Sequence, residues 1–334
     1  MVKDNRIKIE PADDWESYSM IWNDAMKHHY WYHDSPVFDF NRYEETDEMR
    51  IDFEKPGNLF LTARFRDQHD IIGVLGLRQS TTIAKIRRWE PAVIPEFRES
   101  GAAEALLDYA LRCLASMGLK NVSYLMKHPV DSPESIAFQN RLFTKVGFQR
   151  GRPDSVDMVR SLETLKQPPK LSQDMKIEKS ENYELEDLAS IIVESFTSTT
   201  EERAIHGFDR TVSEHIQATA LLHRIEDGYY GHSSSDFRKV AVIEGLPAGF
   251  LSAFVLYSKY KPLIGVIGPM AVLPNYRRRG IASHLIQEVL LSLKEYGCEY
   301  AAVGTPAANI GAIDLYRKAG FGLACRIINL EKQL

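Results

Sequence analysis

The segment Val272-Leu273-Pro274-Asn275-Tyr276-Arg277-Arg278-Arg279-Gly280-Ile281-Ala282 connects a predicted strand to a predicted helix. The apolar run before it, Leu263 to Val272, is typical of a buried strand. Apolar residues recur at helical spacing after it, from Ser283 to Lys294. A basic turn in this position directs backbone N–H groups and the positive end of a helix at one point. The segment therefore predicts a binding site for a pyrophosphate group.

Two common phosphate-binding loops do not fit these residues. A Walker A loop requires Lys followed by Ser or Thr after its second Gly, and a Rossmann turn requires G-x-G-x-x-G. Neither pattern is present here. The pattern V-x-P-x-x-R-x-x-G-x-A instead resembles the acetyl-coenzyme A loop of the GNAT family of N-acyltransferases.

A second motif follows at Asn309–Phe321, which resembles the GNAT pattern N-x-x-A-x-x-L-Y-x-K-x-G-F. Ala312, Leu315 and Tyr316 lie on one face of a predicted short helix. Gly320 is where a left-handed helix cap is expected. Two family motifs in the family's order make a chance resemblance improbable.

The first half of the chain repeats the second. Ala92–Ala103 aligns with Ala271–Ala282 without a gap, and Leu142–Phe148 aligns with Leu315–Phe321. Such a repeat indicates an internal duplication. Two prolines within Lys166–Asp174 predict an exposed linker between the copies. The resemblance implies an α/β protein of two tandem GNAT acyl-CoA N-acyltransferase folds with mixed sheets, over residues 1–165 and 175–334.

The two copies differ at the positions that carry the chemistry. Glu96 and Glu99 stand in the first turn, where an acidic side chain opposes pyrophosphate binding. Phe143 aligns with Tyr316 and has no hydroxyl. We therefore predict a degenerate N-terminal domain and a catalytic C-terminal domain. Two alternative roles are open for the first copy. It either scaffolds the second copy or binds coenzyme A through its backbone amides.

The resemblance implies acetyl transfer from acetyl-CoA, as cosubstrate, to a small-molecule or peptide amine. Tyr316 is the implied catalytic acid, which protonates the leaving sulfur. Asn309 is either a ligand of the pantetheine arm or a helix N-cap. The backbone of the preceding strand is implied to bind the pantetheine and thioester, and the turn to bind the pyrophosphate. These implied cofactor-binding residues are Met270, Ala271, Val272, Arg277, Arg278, Arg279, Gly280, Ile281, Ala282 and Asn309.

The general base is left open among Glu201, Glu202, His206 and Glu244. The segment His28–His33 could suggest a metal site, but neighbouring histidines point in different directions. We interpret this segment as an aromatic wall beside a cleft or an interface, and we expect no metal.

The composition is that of an ordinary globular protein, with 44% hydrophobic and 26% charged residues among 334. A net charge of −5 provides no overall attraction for nucleic acid or an acidic membrane. We found no signal peptide or membrane-spanning run, and three widely spaced cysteines favour a reducing compartment. We therefore expect a cytoplasmic protein without nucleic-acid or membrane partners, of open oligomeric state.

Two other functions fit part of the sequence. A non-catalytic acyl-CoA-binding or regulatory module would use the same loop, but it would not need Tyr316. An aminoacyl transferase with paired GNAT folds would use aminoacyl-tRNA, and it would not need a pyrophosphate turn for coenzyme A.

Overall fold

The computed structural model describes residues 6–27, 48–129, 133–165, 174–206, 212–256 and 262–334. The histidine-rich segment 28–33 and residues 166–173 of the predicted linker lie outside these ranges. The described chain forms two compact units. The first contains the residues up to Asp154 together with Cys325–Leu334, and the second contains Ser155–Ala324.

Fourteen strands are described. They are β1 Ile7–Pro11, β2 Leu59–Phe65, β3 Ile71–Gln79, β4 Ile83–Ile86, β5 Ala92–Val93, β6 Asn121–Pro129, β7 Gln149–Arg150, β8 Ser155–Ser161, β9 Met175–Lys179, β10 Arg238–Ile243, β11 Leu246–Val255, β12 Ile264–Val272, β13 Tyr300–Pro306 and β14 Gly322–Gln333.

The helices with described bounds are α1 Trp15–Lys27, α2 Ala102–Ser116, α3 Pro133–Lys145, α4 Leu185–Thr197, α5 Thr200–His206, α6 Glu214–Glu226, α7 Ile281–Tyr296 and α8 Ile310–Lys318. A further helical stretch covers 48–54. Short 3-10 turns at Pro95–Phe97 and Pro274–Tyr276 precede α2 and α7. None of the described helices combines the length and hydropathy needed to cross a membrane.

The two units have matching sheets. In the first, the strand order is β1-β2-β3-β4-β6-β14, and β4 and β6 are its parallel pair. In the second, the order is β9-β10-β11-β12-β13-β8, and β12 and β13 are its parallel pair. Each sheet also contains an antiparallel hairpin, β2–β3 in the first unit and β10–β11 in the second.

Each sheet is covered by helices on both faces. In the second unit, apolar residues of α7 and α8 pack on one face, and those of α4 and α6 pack on the other. The first unit repeats this arrangement, with α2 and α3 on one face and α1 on the other. These layers leave the carboxyl ends of the central strands as the place where loops can form a site.

Each unit contains one strand from the other half of the sequence. β8 pairs with β13 from Ser161↔Tyr300 to Ser155↔Pro306. In the first unit, β14 pairs with β6 from Cys325↔Pro129 to Gln333↔Asn121. The units therefore differ at these strands from the predicted domains 1–165 and 175–334. The physical reason is that the apolar pattern of a strand specifies which of its faces is buried, and not which of two similar sheets it joins.

Candidate functional site

The central feature of the second unit is a cleft between β12 and β13. The two strands pair from Ile264↔Tyr300 only as far as Ile267↔Val303, and then they separate. A cavity of about 1060 Å³ opens beyond this point. It is lined by the end of β12, the basic turn, the end of β13 and α8. Both sequence motifs therefore face one cavity.

The backbone of β12 offers polar groups to this cleft. The N–H of Leu273 donates to the carbonyl of Ala248 in β11, at 3.0 Å. Because polar groups alternate along a strand, Ala271 also points at β11, whereas Met270 and Val272 point at the cleft. Of the three predicted β12 residues, Met270 and Val272 therefore turn their N–H groups to the cavity, and Ala271 does not.

The turn at 277–283 brings several backbone N–H donors together. Arg278 has a φ of 64°, and Gly280 has a φ of 82° as the N-cap of α7. Within the described part of the chain, none of the backbone N–H groups of 278–283 makes a hydrogen bond of normal length and angle to a backbone carbonyl. Arg278, Gly280, Ile281 and Ala282 line the cavity. Unused amides at a helix N-terminus are suited to an anion.

The Arg277 side chain is engaged by the protein itself. Its Nε donates to the Val272 carbonyl at 3.1 Å, and its Nη2 donates to the Ser195 carbonyl at 2.8 Å. Its Nη1 forms an ion pair with Glu202 at 2.5 Å. This side chain therefore connects the turn to α4 and α5, and its donors are used within the protein.

Arg279 and Asn309 occupy different surroundings. The Arg279 guanidinium stacks over the Tyr276 ring, 5.5 Å from its centroid, and is not among the residues that line the cavity. Asn309 is the N-cap of α8, because its Oδ1 accepts the Ala312 N–H at 3.1 Å. Asn309 also lines the cavity, so its amide nitrogen is the part left for a ligand.

Tyr316 lies on the inner face of α8. It is 5% exposed and lines the cavity, with its ring against Phe321. Burial raises the pKa of its hydroxyl well above the usual value. The hydroxyl therefore carries its proton throughout the neutral range and can donate it.

The four candidate bases are separated by the structure. Glu201 is exposed, and Glu244 lies exposed in the β10–β11 turn with a φ of 51°. Glu202 lines the cavity but pairs with Arg277. The side chain of His206 lies outside the described part of the chain. The described residues also contain no group of three metal-ligating side chains.

Sequence reasoning missed the apolar end of the cavity. Its residues come from α4, α6, the loop after α6, the end of β11 and the first half of β12. No motif marks them, because only tertiary packing brings them together. They include Phe196, Leu221, Ile225, Tyr230, Phe254 and Val266.

Comparison with known proteins agrees with this geometry. Residues 197–321 match the acetyltransferase (GNAT) family. These residues lie within the second unit and contain the residues that line the cleft except Ser195 and Phe196. The second unit therefore has the GNAT fold, and its sequence is similar to this family over residues 197–321.

Solved structures extend the likeness to both units of this tandem GNAT fold. A GCN5-related N-acetyltransferase from Sphaerobacter thermophilus aligns with a TM-score of 0.62 and 16% identity, over 98% of this chain and 96% of that one. A tandem GNAT protein of the clavulanic acid biosynthesis pathway aligns with a TM-score of 0.57 and 13% identity, over 98% of each chain. At these identities the likeness concerns the fold.

A curated relative is similar over a shorter stretch. The N-alpha-acetyltransferase MAK3 of Arabidopsis thaliana is 38% identical over 63 residues, which are 19% of this chain. The match spans 33% of that relative's length. The sequence likeness to this relative is therefore local.

Proposed function

We propose that the second unit binds acetyl-CoA in the cleft and transfers its acetyl group to a primary amine. The observation that carries this proposal is the convergence of three features on one cavity. These are the unused amides of 278–283, the inward backbone groups of Met270 and Val272, and the buried hydroxyl of Tyr316.

The residues present suit each part of this cosubstrate. The amides and Arg278 would hold the pyrophosphate, and the β12 backbone would hold the pantetheine. The N–H of Met270 would stabilise the oxyanion that forms when the amine nitrogen attacks the thioester carbon. The carbon–sulfur bond then breaks, and Tyr316 donates its proton to the departing sulfur. The ammonium proton leaves to a base or to water.

Two further points support the details of the proposal. The relative in Arabidopsis is named as an N-alpha-acetyltransferase, so a peptide α-amino group is one acceptor to test. Cys113, Cys298 and Cys325 form no disulfide, which agrees with a reducing compartment such as the cytoplasm.

Tyr316→Phe tests the chemical step. The ring would still pack, so we expect acetyl-CoA affinity and melting temperature to stay near those of the wild type. The rate of acetyl transfer at saturating amine should fall by about 10², the lower end of what a positioned acid contributes, because water can replace part of its role. Thiol release measures this rate.

The alternative functions predict other results. A non-catalytic acyl-CoA-binding module would bind acetyl-CoA equally well in both proteins and release no thiol with any amine. An unchanged rate in Tyr316→Phe would remove this residue from the mechanism. A large fall in its melting temperature would show that the tyrosine has a packing role.

A further inference from the structure

The end of the cavity away from the basic turn is walled by apolar side chains. We define the apolar wall as Leu221, Ile225, Tyr230, Phe254 and Val266, all of which line the cavity. Phe254 and Val266 are cross-strand partners in β11 and β12. The Tyr230 ring lies 5.7 Å from the Phe254 ring. Tertiary packing thus joins two strands, α6 and a loop into one continuous surface.

The wall is far from the proposed phosphate site. Val266 and Val272 are both on β12, six residues apart, which corresponds to about 20 Å along a strand. Gly268 and Pro269 lie between them at the bulge opposite β11. Ile225 approaches this bulge, with its Cδ1 3.4 Å from where a Cβ on Gly268 would be. The wall therefore borders the cavity on the side from which an acceptor would approach the thioester.

Charged groups lie elsewhere in the cavity. Among the described residues that line it, the charged ones are Glu202, Arg277, Arg278, Asp314 and Lys318. Arg277 and Glu202 pair with each other, and Asp314 and Lys318 belong to α8 beside the second motif. None of the five side chains of the wall carries a charge. A second charge on the acceptor would lose its hydration here without gaining a charged partner among the described residues of the wall.

We infer that the acceptor is an apolar primary amine, whose carbon chain carries an aromatic or aliphatic group and no further charge near the amine. This inference rests on the proposed transfer from acetyl-CoA, and it adds the substrate class. The hydrocarbon part would pack against Tyr230, Phe254 and Leu221, which gains the free energy of removing apolar surface from water. The amine would then reach the thioester at the bulge.

Matched acceptor pairs test this class with the full-length protein. Hexylamine and 1,6-diaminohexane share a carbon chain and differ by one charge. 2-Phenylethylamine and phenylalanine share a ring and differ by a carboxylate. We expect kcat/KM with acetyl-CoA to be at least about tenfold higher for the first member of each pair. Tripeptide amides that begin with Phe or with Asp extend the comparison to peptide amino groups.

Two neighbouring tyrosines supply a matched pair of variants. Tyr230 lines the cavity, whereas Tyr229 is 73% exposed and does not. We expect Tyr230→Ser to lower kcat/KM for 2-phenylethylamine about tenfold, and Tyr229→Ser to change it less than twofold. Leu221→Glu should shift preference towards 1,6-diaminohexane, because it places a negative charge in the wall. This shift cannot result from misfolding.

The outcomes separate this inference from the proposed function. Equal or better use of the doubly charged amine or of phenylalanine would overturn the inference while leaving acetyl transfer in place. Acetyl-CoA binding without turnover of any apolar amine would also overturn it. Failure to bind acetyl-CoA in calorimetry would instead reject the proposed function and the inference with it. Preference for the Phe tripeptide over 2-phenylethylamine would support the inference and identify a peptide as the source of the amine.

Discussion

Met270 and Pro91 show at the scale of single residues why the two units differ. The N–H of Ile94 donates to the Ile72 carbonyl in the first unit, as that of Leu273 donates to Ala248 in the second. Three residues before these donors stand Pro91 and Met270. In β12, Met270 faces away from the neighbouring strand β11. Proline has no N–H, so the first unit lacks the donor that we assign to the oxyanion in the second.

The comparison of Met270→Pro with Met270→Ala tests this donor. The alanine variant keeps the N–H, and the proline variant removes it at a position where the other unit already has a proline. We expect Met270→Pro to lower the rate of acetyl transfer by about 10²–10³, the usual effect of losing one oxyanion donor. Met270→Ala should stay within a few-fold of the wild type. Thiol release at saturating substrates gives both rates.

Equal rates in the two Met270 variants would contradict the assignment of the N–H. Melting temperatures serve as the control, because a proline that disrupts β12 would lower stability as well as rate. Retained stability with a lost rate would support a chemical role for this amide.

Single residues also show what the sequence motifs could and could not predict. The second motif correctly indicated that Gly320 adopts left-handed backbone, with a φ of 86°. Gly280 was found from its motif position, and the structure adds that it is left-handed too, with a φ of 82°. Arg277 was found from its motif position, but its contacts with Glu202 and Ser195 depend on how α4 and α5 pack. Spacing along the chain contains no information about those contacts.

At the scale of elements, the main finding is that β8 and β14 each belong to the unit formed mainly by the other half of the sequence. Val156, Met158 and Leu162 are buried in the core of the second unit, although they precede the predicted linker. The strand type could be predicted from their alternation, as could the hairpins and the helices after each turn. The sheet that each strand joins could not be predicted, because the similar sheets of the two units offer competing edges to the same strand.

A truncation tests the role of β8. A fragment of residues 175–334 lacks β8, whereas a fragment of 153–334 keeps it. We expect the shorter fragment to be less stable by several kcal/mol, because each fully buried apolar side chain contributes about 1.5–3 kcal/mol. Urea unfolding of the two fragments measures the difference.

Equal stability of the two fragments would contradict a structural role for β8. It would mean that the edge of β13 is satisfied by another segment, and that the predicted domain 175–334 folds without help. Loss of stability in the shorter fragment alone would support the unit boundary at Asp154.

The two units of the whole molecule share a fold but have different interiors at the corresponding place. In the first unit, Phe143 takes the position of Tyr316 and stacks on Tyr124, with ring centroids 4.2 Å apart. The Tyr124 hydroxyl donates to the buried Gln139 at 2.9 Å. Side chains therefore pack against Phe143 at the position where Tyr316 faces a cavity in the second unit.

The turns before α2 and α7 also differ, because backbone N–H groups that are hydrogen-bonded in the first unit are not hydrogen-bonded in the second. In the first unit, the Ser100 N–H donates to the Phe97 carbonyl at 3.0 Å, and the Ala102 N–H donates to Ser100 Oγ at 3.3 Å. The aligned amides of Arg279 and Ile281 have no such acceptor among the described residues. We therefore propose that one acetyl-CoA binds per chain, in the second unit.

Calorimetric titration of acetyl-CoA into Gly280→Glu and Gly101→Glu tests this proposal most directly. The two glycines are matched N-caps with φ of 82° and 83°, so a side chain strains both turns alike. We predict one site per chain in the wild type and in Gly101→Glu. Gly280→Glu should weaken binding about a hundredfold or more, or about 2.7 kcal/mol, because its carboxylate repels the pyrophosphate. Two sites per chain, or equal loss of affinity in both variants, would contradict the account.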